Sequence, residues 1–341
     1  MKAAVLSSPG ELSIKEVEEP DCPSGGALIK VEACAICPSD IKMAREGHRD
    51  LSYPRILGHE VVGKVIQADP ALELPEGERI QVWPGLTCGT CPSCQTGRDN
   101  LCPEQGVLGF NRDGGFAQFM AVPAECARRG VNIIPSGLPS REATLTEPLA
   151  CCVHAQNLCD VGEDAAVLVI GAGPMGLLHT MLARSRGAHA VVVEPREDRR
   201  KLALDIGAEE ALEPSDNIEA DTYAAFGRRG ADVAILATPA ADVPSLLRAM
   251  APRGRICLFS GLPRANPVRP LDLNQIHYRE LSMIGAYGCT SGSDHEALDL
   301  ISSKRVAVDQ LITMETSLER LNEGFRHIER RDGLKCVVTR F

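Results

Sequence analysis

Four cysteines fall within fifteen residues, at Cys88, Cys91, Cys94 and Cys102. Spacings of three, three and eight residues allow four thiolates to close tetrahedrally round one Zn²⁺ and leave no place for water. Gly89, Pro92 and Gly97 let such a loop, about residues 85–105, curl round the ion. An iron–sulfur cluster, a redox-active Cys-x-x-Cys pair and chance clustering are the alternatives. Four thiols this close favour structural zinc.

The second constellation is Gly171-Ala-Gly-Pro-Met-Gly176, which follows the continuous apolar run 165–170. A run of that kind, bounded by glycine, reads as a strand buried on both faces. In GxGxxG the first glycine, Gly171, permits the tight turn. The second, Gly173, lets the backbone approach a pyrophosphate, and the third, Gly176, lets helix pack on strand. A helical segment follows with Leu178, Met181 and Leu182 on one face, then a second apolar strand ending in Glu194, 18 residues after Gly176. An acid there accepts hydrogen bonds from an adenosine ribose. Glycines alone mark many nucleotide-free turns, but strand, glycines, helix, second strand and terminal acid together point to a dinucleotide site.

The elements that must position these groups fall into two patterns. Residues 1–148 are strand- and turn-rich, with few helical patterns, and read as an all-β, barrel-like domain carrying the cysteine lobe. Leu28-Ile-Lys-Val-Glu-Ala alternates as one strand, and Val61-Val-Gly-Lys-Val-Ile follows Gly58-His59-Glu60 as another. Glu147, just before Pro148, marks a helix start. From 149 to 288 strands alternate with helices: 165–170, 190–194, 209–212, 231–237, 254–260 and 281–286 make a doubly wound parallel α/β sheet. Residues 289–341 hold helical segments near 294–304 and 317–330 and a final strand from Lys335, a piece expected to return to the first domain.

Composition narrows the function. The 341 residues are enough for two domains, and 44% hydrophobic content supports sizeable cores. A net charge of −10 argues against nucleic acid or an anionic membrane as partner. The first residues, Met1-Lys-Ala-Ala-Val-Leu, are too short an apolar run for a signal peptide. Fourteen cysteines in such a chain point to a reducing, cytoplasmic setting and to metal ligation or reactive thiols, not a disulfide framework.

Taken together with Cys37-Pro-Ser39-Asp40, Gly58-His59-Glu60 and Glu147-Pro-Leu, the cysteine lobe and the glycine turn make five motifs in fixed order. With them the chain resembles the zinc-dependent medium-chain dehydrogenase/reductase superfamily over essentially its whole length. The resemblance implies a GroES-like catalytic domain, a Rossmann domain and an active site in the cleft between them. It implies two zinc ions per chain, the structural one in the lobe and a catalytic one on Cys37, His59 and Glu147, with Glu60 beside it or swinging onto the metal. The donor types suit that role, because a catalytic zinc takes about three protein ligands and keeps one open place. Each also has a plainer reading. Cys37 could be a small buried hydrophobe, His59 a satisfied core histidine and Glu147 a helix N-terminal charge.

The resemblance further implies Ser39 as the hydroxyl that relays a proton, with Lys42 where many relatives place a histidine; a lysine accepts a proton poorly unless desolvated. Glu194 repels a 2′-phosphate, so NAD is expected over NADP, although Arg196, Arg199 and Arg200 stand close by. Met175, Arg199, Phe259-Ser260-Gly261 and Ala286-Tyr287 are expected to touch the cofactor. A carboxylate at 147 resembles the polyol and threonine dehydrogenase branch, so the expected substrate is a polyol, amino-polyol or sugar alcohol oxidised to a ketone. L-threonine 3-dehydrogenase activity is the alternative, and a non-catalytic nucleotide-binding relative the alternative of another class. Relatives pair their Rossmann sheets through the last strand, so a homodimer or homotetramer is expected.

Overall fold

The computed structural model describes residues 1–227, 229–262 and 265–341. It divides into two compact units: residues 1–150 with 289–341, and residues 151–288.

The first unit is built on a seven-stranded sheet. Its strands run in the order Val131–Ile133, Arg79–Val82, Glu60–Ala68, Ala27–Ala35, Lys335–Arg340 and Ile312–Ser317, with Phe119–Val122 also pairing against Ala27–Ala35. A three-stranded sheet orders Leu12–Glu16, Lys2–Leu6 and Arg55–Ile56. Alternate residues of Ala27–Ala35, among them Ile29, Val31 and Ala33, turn into a core that includes Leu6, Ile36, Leu57, Phe116 and Phe325. The last strand of the chain lies against Ala27–Ala35, with Val337 opposite Ala35 and Val338 opposite Cys34. So the C-terminal segment completes the sheet begun by the N-terminal one.

This unit holds more helix than its sequence suggests. Pro38–Glu46 and Ala124–Gly130 are helices. Both are short and carry charged residues, so a 3.6-residue apolar period has little room to show itself. The start signal of the first was nonetheless present, since Pro38 sits at its first turn, where a missing N–H costs nothing.

In the second unit six strands are all parallel, in the order Glu210–Leu212, His189–Val193, Ala166–Ile170, Ala231–Leu236, Met250–Leu258 and Ser282–Gly285. Every residue of Ala166–Ile170 is buried, as its unbroken apolar run requires. The chain leaves this strand at Gly171 and enters the helix Pro174–Ser185. Strand order reverses beside it, which is where sheets of this kind bind ligands.

The three glycines of the turn divide the work as their spacing predicts. Gly171 has φ +101°, where a side chain is strained. A Cβ on Gly173 would meet nothing within 4 Å, leaving the backbone open to a ligand, whereas one on Gly176 would lie 1.8 Å from the Gly171 carbonyl oxygen. Replacing Gly176 with alanine should therefore pry helix from strand and lower the stability of this unit by about 1–3 kcal/mol. An unchanged thermal midpoint for the G176A protein without cofactor would contradict that packing.

Candidate functional site

Cys37 leaves the end of strand Ala27–Ala35 and caps the helix Pro38–Glu46. The Asp40 carboxylate, three residues on, accepts from the Cys37 N–H at 2.9 Å through Oδ2. Its other oxygen, Oδ1, lies 3.2 Å from His59 Nδ1. That is ion-pair distance, and among the described residues neither atom has another hydrogen-bond partner. Asp40 is fully buried and His59 only 5% exposed. One carboxylate thus fixes both the loop of Cys37 and the ring of His59.

His59 stands directly before strand Glu60–Ala68. Gly58 precedes it at φ +97°, and a Cβ there would come within 2.8 Å of Cys34 Sγ and 3.0 Å of the Phe116 nitrogen. Only glycine brings the histidine in at this spot. The Phe110 ring closes on His59 edge-on with centroids 5.4 Å apart, and Ser39 Oγ is 3.5 Å from His59 Nε2. Burial pulls the His59 imidazole down, but the Asp40 carboxylate and the Cys37 thiol outweigh it and hold it well above its ordinary value. A metal ion that takes the ring must displace that proton.

The ligand atoms of Cys37, His59 and Glu60 lie within 4.8 Å of one another. A thiolate, an imidazole and a carboxylate at that separation fit a zinc ion of catalytic type, and Asp40 is the partner that orients a ligating histidine from behind. Glu147, in the helix Thr146–Leu158, falls outside this group; its carboxylate is within 4.8 Å of the Cys289 thiol instead.

Three residues that the sequence did not single out complete the surroundings. Asp40 appeared only as part of a motif. Lys335, 2% exposed, donates to Glu60 Oε2 and, at 3.2 Å, to the Ile36 carbonyl. Burial works against its charge, but Glu60, Cys37 and Glu147 outweigh that and keep the ammonium protonated. Asp294, fully buried, accepts from Asn132 Nδ2 at 2.7 Å and Gln81 Nε2 at 3.2 Å. Burial, and then the charge of Glu147, raises its carboxyl well above the usual range.

The thiols of Cys88, Cys91, Cys94 and Cys102 also lie within 4.8 Å of one another. Four thiolates bound at ~2.3 Å in a tetrahedron are about 3.8 Å apart; Cys88 and Cys94 are 4.0 Å apart, Cys88 and Cys102 3.5 Å. The Cys91 N–H donates to Cys88 Sγ at 3.4 Å and the Cys94 N–H to Cys91 Sγ at 3.5 Å. Backbone N–H groups of Thr90 and Cys91 pull the Cys88 thiol down to about 6. The Arg129 guanidinium clamps the loop by donating to the carbonyls of Cys94 at 3.2 Å and Gly89 at 3.1 Å. The donor set and its spacing fit a structural zinc.

In the second unit the expected cofactor residues gather at the C-terminal ends of parallel strands. Gly171, Gly173, Met175 and Gly176 follow Ala166–Ile170, and Glu194 follows His189–Val193. Phe259, Ser260 and Gly261 follow Met250–Leu258, and Ala286 and Tyr287 follow Ser282–Gly285. Glu194 Oε2 accepts from the Ala172 N–H at 2.7 Å and Oε1 from the Arg196 N–H at 3.1 Å. The acid therefore also ties the glycine turn to the second strand. Of the nearby arginines, Arg196 pairs with Asp198 and Arg200 with Glu213, while Arg199 is only 8% exposed. His179 packs edge-on against Phe259 with centroids 4.5 Å apart. The open glycine turn at a helix N-terminus fits a pyrophosphate.

Comparison with known proteins bears on both sites. Residues 23–131 match the alcohol dehydrogenase GroES-like domain, and residues 174–303 the zinc-binding dehydrogenase family. An uncharacterized zinc-type alcohol dehydrogenase-like protein of Haemophilus influenzae is 32% identical over 94% of this chain and 93% of its own. A Sinorhizobium meliloti structure described as a zinc-binding dehydrogenase bound to NADP superposes with TM-score 0.91 at 31% identity, covering 99% of this chain and 98% of its own. An Escherichia coli alcohol dehydrogenase complexed with NADH gives 0.90 at 26% identity, covering 99% of each chain. Other similar proteins bear the names L-galactonate-5-dehydrogenase, sorbitol dehydrogenase and L-threonine 3-dehydrogenase.

The double acceptor role of Glu194 has a consequence independent of any ligand. Glu194→Ala leaves two backbone N–H groups without their acceptor, and the cofactor-free protein should lose about 1–3 kcal/mol of unfolding free energy. Urea unfolding that superimposes on the parent's would refute the tether.

Proposed function

The chain belongs to the zinc-type alcohol dehydrogenase family, an oxidoreductase family, and on that premise we propose that it oxidises a secondary alcohol of the polyol, amino-polyol or sugar-alcohol class to a ketone with NAD. The observation that carries the reading is the convergence of Cys37, His59 and Glu60 within 4.8 Å, with Asp40 behind His59. Cys37 and His59, with a carboxylate from Glu147 or Glu60, would hold a catalytic zinc, and the four lobe cysteines a structural one. When bound, the ion supplies Lewis acidity and the dinucleotide accepts hydride.

The chain's own residues do the rest. Asp40 fixes the His59 ring and the Cys37 loop at once, so both donors are set before any metal arrives. Ser39 Oγ, 3.5 Å from His59 Nε2, is the hydroxyl that takes the substrate proton outward. Lys42 is exposed on the same helix, so the proton passes from Ser39 to water rather than to a histidine at that position. Phe110 lays an apolar wall along His59 and keeps water from that side of the ring.

Glu194 favours NAD. Its carboxylate stands where a 2′-phosphate would bring two more negative charges, and Arg196 and Arg200 already have acidic partners. Solved relatives hold either NADP or NADH, so the reading of NAD rests on this chain's own acid. The names of similar proteins support the substrate class, and those named L-threonine 3-dehydrogenase keep threonine as the second reading. The exposed sheet edge Ser282–Gly285 suits pairing with a second copy, and the reduced cysteines suit the cytoplasm.

Two measurements test this. Metal analysis should find about two zinc ions per chain, and Cys37→Ala should lose one of them together with turnover while the lobe keeps its own; a C37A protein with normal activity rules the site out. Steady-state rates over a panel of polyols, amino alcohols and threonine should show kcat/KM for NAD⁺ at least about tenfold above NADP⁺, with Glu194→Ala narrowing the gap. A parent enzyme that prefers NADP⁺ refutes the role given to Glu194.

A further inference from the structure

His179 has no part in the chemistry above, yet its fully buried ring joins the helix after the glycine turn to the tip of strand Met250–Leu258. It stands one turn beyond Gly176 in the helix Pro174–Ser185. The helix Thr146–Leu158 reaches it with two side chains four residues apart. Cys152 Sγ donates to the Met175 carbonyl at 3.7 Å, and Gln156 Nε2 to the His179 carbonyl at 2.8 Å. The Phe259 ring meets the imidazole at 88° with centroids 4.5 Å apart. Phe259 is half-buried and begins the segment 259–261 that the dinucleotide reading assigns to the cofactor. That segment is tied back to the glycine turn. The Ser260 N–H donates to the Leu236 carbonyl at 2.9 Å, and the Ala237 N–H to the Ile170 carbonyl at 3.0 Å.

Hydrogen bonds fix which ring nitrogen carries the proton. A carbonyl oxygen only accepts, so the Gln156 atom that faces the His179 carbonyl is its nitrogen. The same nitrogen lies 3.4 Å from His179 Nδ1, and its second N–H makes Nδ1 an acceptor. The proton of a neutral imidazole is then on Nε2. The ring is neutral, because burial, and then the charge of Arg186, push it down to about 3. Nε2 is buried and has no hydrogen-bond partner among the described residues. A buried N–H with nothing to receive it is costly. Two perpendicular rings can meet in either sense. Only the imidazole edge against the Phe259 face gives that proton a partner, the electron-rich face of the ring.

We propose that His179 is a positioning residue: held in its Nε2–H form by Gln156, it donates that N–H to the face of Phe259 and so fixes the segment 259–261 for the dinucleotide. The proposal deepens the NAD reading given above and rests on it. Both halves of the cofactor site are then set by one helix. Gly176 packs its first turn on Ala166–Ile170, and His179, three residues later, holds the strand tip two places along the sheet. A ring fixed before the ligand arrives leaves less to be ordered on binding.

The test uses the full-length protein with isotope-labelled histidine, first without cofactor. Long-range proton–nitrogen spectra near neutral pH should show one imidazole, assigned by its loss from His179→Gln, that is protonated on Nε2 alone. Its N–H proton should be moved upfield by the Phe259 ring, and Phe259→Leu should abolish that displacement. A proton on Nδ1, a charged ring or an Nε2–H moved downfield by an oxygen acceptor overturns the proposal. Binding is then read by calorimetric titration. A parent that takes up neither NAD⁺ nor NADP⁺ removes the dinucleotide reading and this proposal with it. In a parent that binds NAD⁺, His179→Asn, which loses the Nε2 donor, should raise Kd and KM for NAD⁺ about fivefold while kcat falls less than about twofold. His179→Gln, whose amide nitrogen can stand where Nε2 stood, should recover most of that loss. A folded H179N protein with the parent's Kd, or an equal loss in H179N and H179Q, overturns the proposal and leaves the dinucleotide reading intact. If H179N does not fold, Phe259→Leu is titrated in its place and should weaken NAD⁺ by about the same factor; the parent's Kd in F259L overturns the proposal equally.

Discussion

A dense set of acidic groups in a dry interior must be neutralised, and the architecture of the first unit follows from that need. Asp40, Glu60, His59 and Lys335 are all at most 5% exposed. Two unit charges 4 Å apart interact by about 4 kcal/mol at an effective dielectric of ~20, a large share of a stability of ~5–15 kcal/mol. Asp40 is offset by His59 and by the N–H of Cys37, and Glu60 by Lys335. Asp294 takes another route, a carboxyl raised by burial and given two amide donors. The cation for Glu60 comes from the far end of the chain, so the return of residues 289–341 to this unit is an electrostatic requirement as well as a way to complete the sheet.

Backbone space is the second constraint. At Gly58 and Gly176 the obstacle to a side chain is backbone or tightly packed core, not a flexible tip. Both stand next to chemistry: Gly58 before His59, Gly176 at the first turn of the helix after the glycine loop. Close packing and function coincide because a donor can enter a crowded core only where the chain gives up a Cβ. Glu194 likewise serves twice, accepting from the Ala172 N–H and from the Arg196 N–H, and so ties the glycine turn to the end of the second strand.

What the sequence made legible was local. Cys88 to Cys102 and Gly171 to Glu194 announce themselves because their partners lie within a few dozen residues and their spacing encodes the geometry. The parallel strands were legible too, since a strand buried on both faces is a plain apolar run. The membership of the metal group was less so. Cys37 and His59 were anticipated together, but the choice between Glu60 and Glu147 depends on where two helix and strand termini point, and the structure groups Glu60 with them. Lys335 and Asp294 left no trace. Their partners, Glu60 and Gln81, are 275 and 213 residues away, and a lone lysine opening a strand looks like any solvated one. The helix Pro38–Glu46 escaped because it is short and one of its buried positions is a charged residue, Asp40, which blurs the apolar period.

The arrangement also weighs against a protein that only binds nucleotide. Burying paired charges is seldom a net gain in stability, and apolar residues of similar volume often serve as well or better. A fold that needed only the glycine turn of its second unit would have no reason to keep a thiol, an imidazole and a carboxylate within 4.8 Å, an aspartate spanning two of them and a lysine matched to the third. Each of these groups satisfies another at some cost in desolvation, and together they leave a donor set suited to a Lewis-acidic ion. Such a cost is understandable where the site must hold a metal strongly enough to keep it and loosely enough to leave room for a substrate oxygen. Cys37, Asp40, His59, Glu60 and Lys335, the groups so matched, all belong to the first unit.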